Sequence, residues 1–372
     1  ALLHAVRRCH GLLTPTKQRG RFCRISLAEI GCAWGAGAMI RVAVVGCARP
    51  KLTQAVGIAS NAALPLHPNL FTMSFLRLSC APIVGALLTL ATSAYAQGSA
   101  WQPFVSVTPV YQGYSDVDDG GRFKVSSAIV RGGAFYALGA GSRIGVTLNY
   151  DQYDYSFDNA SAFGPQAPWG TVRRYGVSVP LSWGVSDGWS LSVSPSVDWF
   201  GEKGASSSDS RVWGAMFSGV KQFEGGNRLG VGVGVYEQIE KTSAFPFVVV
   251  DWRLNERWRL VNPLPSGPTG PVGLELDYRL DGGWTLGAGF SYRSVRFRLA
   301  DRPLARGGVG EETGVPLFLR VTRQFGPQMA LHLYGGAVVG GKLRVEDASG
   351  ELVHKQNFKA APLLGLSLVG RF

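Results

Sequence analysis

The residues able to do covalent or metal chemistry are few and badly placed for it. All five cysteines (Cys9, Cys23, Cys32, Cys47 and Cys80) lie before residue 97. The longer remainder therefore has no thiolate nucleophile, no cysteine metal site and no disulfide framework. Two histidines, His332 and His354, fall in that remainder. Neither sits at an acid–His or Ser-x-x-x-His spacing that suits general-base activation of a nucleophile or of water. His332 shares its strand with Leu331 and Leu333, which puts it on the opposite, lumen-facing side; a single histidine there reads as a satisfied hydrogen-bond partner. The acids Asp116, Asp118 and Asp119 could hold Ca²⁺ loosely, but such a run reads more simply as a solvated loop. Met39 to Gly46 resembles a strand entering a nucleotide-binding turn, yet no G-x-G-x-x-G follows. No catalytic residue, cofactor or metal is expected.

What remains is a set of charges at alternate positions within apolar strands. Arg143, Arg174, Asp198, Glu275, Asp277, Arg279, Arg293 and Arg320 all fall on the polar side of a period-two pattern. The elements that must position them are β-strands. Ile144, Val146, Leu148 and Tyr150 alternate with Arg143, Gly145, Thr147, Asn149 and Asp151. Trp189, Leu191, Val193, Pro195, Val197 and Trp199 alternate with serines and Asp198. Period two puts each set on one face of a sheet.

Strands are expected near 103–113, 124–137, 143–154, 172–184, 189–200, 211–223, 228–239, 244–253, 257–262, 271–280, 284–298, 314–325, 329–343 and 357–372. The connections alternate in length. Long ones are 114–123, 155–171, 201–210, 263–270, 299–313 and 344–356. Short ones include Val185 to Gly188, Glu224 to Asn227, Leu254 to Glu256, Asp281 to Gly283 and Gly326 to Gln328. Only 240–243 is short on the long side. Asp-Gly and Gly-Gly pairs in the short turns supply the positive φ of tight hairpins. Transmembrane barrels have short turns on one side and long loops on the other, with both termini on the short side. Trp183, Trp189, Phe223, Trp252, Trp258, Trp284 and Phe325 all flank the short turns, as an aromatic girdle at a membrane interface would. The fold expected is all-β: a transmembrane, antiparallel, up-and-down barrel of about 14 strands, with 12–16 possible. Arg131 and Lys221 disturb the alternation of 124–137 and 211–223, so bulges or register errors are expected there.

The chain is divided. Residues 1–96 hold ten Lys and Arg and one acid, Glu29, leaving 27 basic and 24 acidic residues in 97–372. The net charge of +12 thus belongs to the leader and is no argument for nucleic-acid binding. Met73 opens an export signal with Arg77 as its basic region, an apolar run from Ala81 to Leu90, and Ala94-Tyr95-Ala96 as a small-x-small cleavage site. Cleavage is expected after Ala96. Residues 73–96 are then a signal peptide and 97–372 the barrel. Residues 1–72 show no sustained period and read as unstructured sequence upstream of a mis-assigned start.

The last strand ends Leu364-Gly365-Leu366-Ser367-Leu368-Val369-Gly370-Arg371-Phe372. A terminal Phe372 preceded by alternating apolar residues resembles the signature that the barrel-assembly machinery recognises in Gram-negative outer-membrane proteins. With the signal peptide and hairpins, residues 97–372 are similar to outer-membrane β-barrel families that have no assigned function. The resemblance implies insertion by that machinery into outer-membrane lipid; it implies no substrate. Inward charges of both signs argue against strong ion selectivity. They would either brace the wall or form a ring that selects solutes. No plug domain precedes the first strand, so a barrel of this size encloses water unless loops fold inward. Loop 155–171, with Phe157, Phe163 and Trp169, is the best such lid, and loop 299–313, with Arg302 and Arg306, the second. The leading functional expectation is a channel or uptake barrel for small solutes. The alternative is a closed structural or ligand-binding barrel, with a lipid hydrolase third.

Overall fold

In the computed structural model the described residues are 100–372, apart from positions 140, 266, 269 and 271, together with a short bridge of Ile25–Ser26 with Val44–Val45. The expected signal peptide and its cleavage site lie outside them. Fourteen antiparallel wall strands close on themselves. They are β1 (Trp101–Asp116), β2 (Arg122–Gly139), β3 (Ser142–Asp158), β4 (Thr171–Ser178 and Leu181–Gly184), β5 (Trp189–Glu202), β6 (Arg211–Gln222) and β7 (Arg228–Gln238). Next come β8 (Lys241–Arg253), β9 (Trp258–Val261), β10 (Val272–Arg279), β11 (Trp284–Arg298), β12 (Val309–Phe325), β13 (Met329–Glu346) and β14 (Leu352–Phe358 and Ala361–Arg371). Each pairs with its sequence neighbours, and β14 pairs with β1 from Leu363↔Gln112 to Arg371↔Phe104. A closed sheet has no edge to hydrogen-bond with lipid or with another chain.

The alternation holds. Val146, Leu148, Val231, Val233, Val248, Leu317, Leu319, Leu333, Leu364 and Leu366 all lie exposed on the outer face. Val231 is 69% exposed and Leu319 67%, values that in water would leave an unprotected apolar belt around the whole barrel. The tight turns use the residues expected of them: Asp187 (φ 49°) and Gly188 (φ 75°) reverse the chain between β4 and β5.

Two expectations need correction. No bulge occurs where Arg131 and Lys221 fall: β2–β3 is regular from Arg122↔Asp158 to Ala137↔Arg143, and β6 pairs regularly along its length. Arg131 breaks the pattern because the inner face of β2 is itself apolar, at Phe123, Val125 and Ile129. Lys221 faces outward at the short-turn rim, 5.9 Å from the Trp189 ring, and donates to the Asp187 carbonyl. The register shifts lie instead at Gln112/Ser115, Ala137/Gly139, Thr313/Val315 and Val345/Glu346. The long loops are also shorter than expected, because β12 begins at Val309 and β13 runs to Glu346.

The barrel is not one uniform tube. Near the long-loop end, Gly201 of β5 pairs in parallel with Arg298 of β11, on the far side of the sheet order. At that level the wall passes directly from β5 to β11 and bypasses β6–β10. Inside the smaller ring lies a packed apolar core of Phe123, Tyr155, Phe163, Trp169, Phe200, Phe297, Leu343, Phe358 and their neighbours.

Candidate functional site: the lumen

Four layers of side chains fill the lumen, beginning with the core at the long-loop end. Trp169, from the loop before β4, is 1% exposed. Its ring meets Tyr155, Phe157 and Phe297 edge-on at 5.6, 5.5 and 5.3 Å. Phe163 of the same loop is buried beside it. Loop 155–171 thus turns inward, as its aromatic content suggested. Glu202 clamps it to the next loop: its carboxylate accepts from Gly170 N (2.8 Å), Ala300 N (3.0 Å) and Arg302 Nε (2.9 Å).

The second layer crosses the lumen under this core. Arg293 Nη2 of β11 donates to Glu312 Oε1 of β12 (2.6 Å) and to Gln112 Oε1 of β1 (2.5 Å). Tyr155 OH of β3 donates to Glu312 Oε2 (2.7 Å). One carboxylate therefore ties together strands from both halves of the ring.

The third layer holds two ion clusters on opposing walls. Arg174 Nε donates to Asp198 Oδ1 (3.1 Å), Arg131 Nη2 donates to Asp151 Oδ2 (3.0 Å), and Arg174 lies 3.8 Å from Asp151. On the other wall Arg320 donates to Glu275 Oε1 (2.6 Å), Asp277 Oδ1 (2.7 Å) and Thr322 Oγ1 (2.6 Å). Thr322 Oγ1 is 2.8 Å from His332 Nδ1, so the buried imidazole serves that network. Against this wall leans the β9–β10 loop, residues 262–271, in which Pro263, Gly267 and Pro268 are buried. A Cβ on Gly365 would come within 3.0 Å of Pro268 Cγ, so the loop has crossed to the β13–β14 side. Nothing in the sequence pattern marked this loop as inward-folding.

The fourth layer is the short-turn mouth. Arg143 donates to Ser182 Oγ at 3.2 Å and lies over the Phe135 ring at 5.4 Å, and Arg279 stands at the exposed end of β10. So of the eight charges singled out in the sequence, Arg174 joins Asp198, and Arg320 joins Glu275 and Asp277. Arg293 finds Glu312, which the pattern missed, and Arg143 and Arg279 stand apart from the clusters. Arg131, Gln112 and Glu312 were missed as lumen partners, because each lies in a segment where the inner face is partly apolar or the register shifts, whereas Asp151 was placed on the polar side of its strand but not singled out. Around the mouth, Trp183, Trp189, Phe223, Trp258, Trp284 and Phe325 are exposed. Trp252 is half-buried, its ring 5.4 Å from that of Phe223. Phe372 N donates to the Pro103 carbonyl (2.8 Å), holding the chain end against β1. Among the described residues no cluster of three or more His, Cys, Asp and Glu could hold a metal, and the acids of 116–119 bind neighbouring side chains: Asp118 accepts from Asn357 and Asp119 from Gln356.

The wall itself has a gap. Strand β9 has four residues and pairs with β8 only from Asp251 to Arg253. Beyond Val272↔Tyr292, β10 offers β11 no partner. Among the described residues no backbone pairing joins Lys241–Val249 of β8 to residues 293–297 of β11. Asn262 caps the lower margin, donating to the Val248 and Gly273 carbonyls (3.0 Å each) and accepting from Val250 N (2.8 Å). The upper margin is a clasp: Arg296 donates to the Ile239 carbonyl (2.9 Å) and Arg298 to Glu240 Oε1 (2.5 Å). The sequence explains why the gap does not zip shut. Pro263, Pro265, Pro268 and Pro271 all follow β9 before β10 begins, and proline has no N–H to give a ladder. Pro246 stands on the facing margin in β8.

Just inside the gap, Gly232 and Gly234 of β7 face Phe247 and Phe245 of β8. A Cβ on Gly232 would lie 2.2 Å from the Phe247 ring, and one on Gly234 2.5 Å from the Phe245 ring. The ring tips lie over the two glycines, and Tyr236 stacks beside Phe245 at 6.1 Å. An apolar floor results, without side chains standing into the space.

No family model and no curated protein matches the sequence. Solved structures similar to it include an outer-membrane channel from Pseudomonas putida F1 (10% identity, 73% of this chain and 95% of that one, TM-score 0.40). Another is the toluene transporter TodX of Pseudomonas putida (10% identity, 76% and 92%, TM-score 0.37). A third is the β-domain of the Bordetella autotransporter BrkA (15% identity, 72% and 99%, TM-score 0.33).

Proposed function

We propose that the protein is an outer-membrane barrel, with the short turns in the periplasm, that takes up small apolar solutes through the side of its wall. The continuous exposed apolar belt and the aromatic rim support the membrane setting: they match a hydrocarbon layer bounded by a headgroup layer. The observation that carries the route is the pairing of Gly201 with Arg298 above a wall gap. The straight path is filled by the Trp169 core, whereas the gap opens onto the Phe245–Phe247 floor beneath it. From there the route runs down past the two ion clusters to the short-turn mouth, which this reading sets in the periplasm. A closed barrel is the second reading, favoured by the same packed core.

The test uses cells producing the full chain. They should accumulate N-phenyl-1-naphthylamine, an apolar dye excluded by an intact outer membrane, faster than cells without it. The purified barrel in planar bilayers should pass no stable ionic current. Steady ion conductance would establish an axial pore and overturn the side route. Dye entry equal to the control, with a folded barrel present, would leave the closed reading.

A further inference from the structure

The short-turn mouth contains a recess that neither the ion clusters nor the side gap explains. It has a volume of about 320 Å³ and is lined by Arg253, Arg257, Arg259 and Arg279, with Asn255, Glu256, Asp277 and Thr285. Three adjoining strands deliver these guanidiniums to one place. Arg253 of β8 is directly opposite Arg259 of β9. Arg279 follows two residues after Asp277, the partner of Arg259 on β10. Like charges directly opposite each other across a pair of strands repel, so the arrangement is unfavourable as it stands.

The nearby acids relieve it only on the Arg259 side. Asp251 is shared between Arg259 and Arg228, 2.7 Å from each. Asp277 is held by Arg320 at 2.7 Å. Arg257 donates to Tyr278 OH at 3.1 Å. Arg253 and Arg279 have neither ion pair nor side-chain hydrogen bond among the described residues. Glu256 is exposed at the rim and is the one acid of the recess without a basic partner there.

We infer that this recess binds a phosphate group. Two guanidiniums with unused N–H forks, set beside a third, suit the oxygens of a tetrahedral dianion, which arginine grips in bidentate fashion. The Thr285 hydroxyl and the Asn255 amide add neutral hydrogen-bonding groups on the lining. A dianion also removes the repulsion between Arg253 and Arg259. The phosphate could be carried by a small periplasmic solute or by a lipid headgroup, since the recess opens at the level of the aromatic rim. The inference does not depend on the side route.

The probe is inorganic phosphate, titrated calorimetrically into the folded barrel in a zwitterionic detergent at low ionic strength. One saturable site is expected, weakened about tenfold by Arg253→Gln and by Arg279→Gln, the loss of about 1.4 kcal/mol that one charged hydrogen bond represents. Arg323→Gln is the control. Arg323 lies on the same rim, 5.1 Å from the Trp284 ring and outside the recess, and its loss should leave the affinity unchanged. Heat-dependent migration on gels checks that each variant is folded. Glycerol 3-phosphate displacing phosphate supports a solute source; displacement by phosphatidylglycerol alone supports a headgroup. No saturable binding, or equal weakening by all three variants, would overturn the site and reduce the recess to a generally basic rim.

Discussion

If the Trp169 core is what closes the straight path, Trp169→Ala should convert a silent barrel into a conducting one. The indole is 1% exposed and wedged between Tyr155 and Phe157 of β3 and Phe297 of β11, at 5.3–5.6 Å. Truncating a buried tryptophan to alanine costs about 3–5 kcal/mol, the larger values where the surroundings cannot collapse. Collapse is limited here, because the rings facing the vacancy stand on strands pinned by ladders on both sides. Much of the space should therefore persist, flanked below by the charged Arg293–Glu312 layer. The variant should unfold in urea at a lower midpoint, still migrate as a folded barrel, and show current steps in planar bilayers. Leu319→Ala, on the exposed outer face, should stay silent. A Trp169→Ala barrel that loses the expected stability but remains non-conducting would refute the argument, since the seal would then lie elsewhere.

Three further outcomes follow from the same geometry. Asp151→Asn removes the buried carboxylate between Arg131 and Arg174; Arg174 keeps Asp198, but Arg131 loses its carboxylate partner, which should cost about 3 kcal/mol, and a urea midpoint close to that of the parent would contradict it. Replacing Pro263 and Pro265 with threonine restores two ladder donors beyond β9; slower dye accumulation is expected, with new amide protection beyond Val261, and unchanged uptake would argue against passage at that margin. In the long-loop turn, Asp347 Oδ1 accepts from Ser349 Oγ (2.7 Å), Ser349 N (2.8 Å) and Glu351 N (3.0 Å), which holds its carboxyl below the ordinary carboxylate range. A depressed folded-state pKa stabilises above the unfolded value and is lost as pH falls, so the protection of the amides in 347–351, taken relative to intrinsic exchange at each pH, should be flat from pH 7 to about 5 and fall only below about 4; loss of protection near pH 6 would show that another group controls the loop.

Where one face of a strand meets lipid and the other meets water, the sequence alone places both faces. Ile144 to Tyr150 and Trp189 to Trp199 are such strands, and their register was readable from alternation. The reading fails where the inside is not wet. Phe123, Val125 and Ile129 face the core while Lys124 and Ser126 alternate with them on the outside, so in the long-loop half of β2 the apolar side of the period is the inner one, and Arg131 on that side looks like an interruption. In fact Arg131 marks the depth at which the filling changes from apolar to ionic. The partners of the charges were less legible still. Glu312 meets Gln112 and Tyr155 from 200 and 157 residues away, across a space whose width depends on the bypass from β5 to β11.

That bypass was the least legible feature, although its causes are local. Four prolines after β9 remove the donors that would carry β9 and β10 to full height. With those strands short, β11 loses its neighbour above Tyr292 and meets the free margin of β5 at Gly201 instead. The narrower ring this creates is small enough for aromatic side chains to fill, and the bypassed strands are left with a gap at β8. A sealed axis and an open side are thus two consequences of one proline-rich turn. Lengthening that turn's ladder should therefore act on both at once, narrowing the side gap and drawing β11 away from β5.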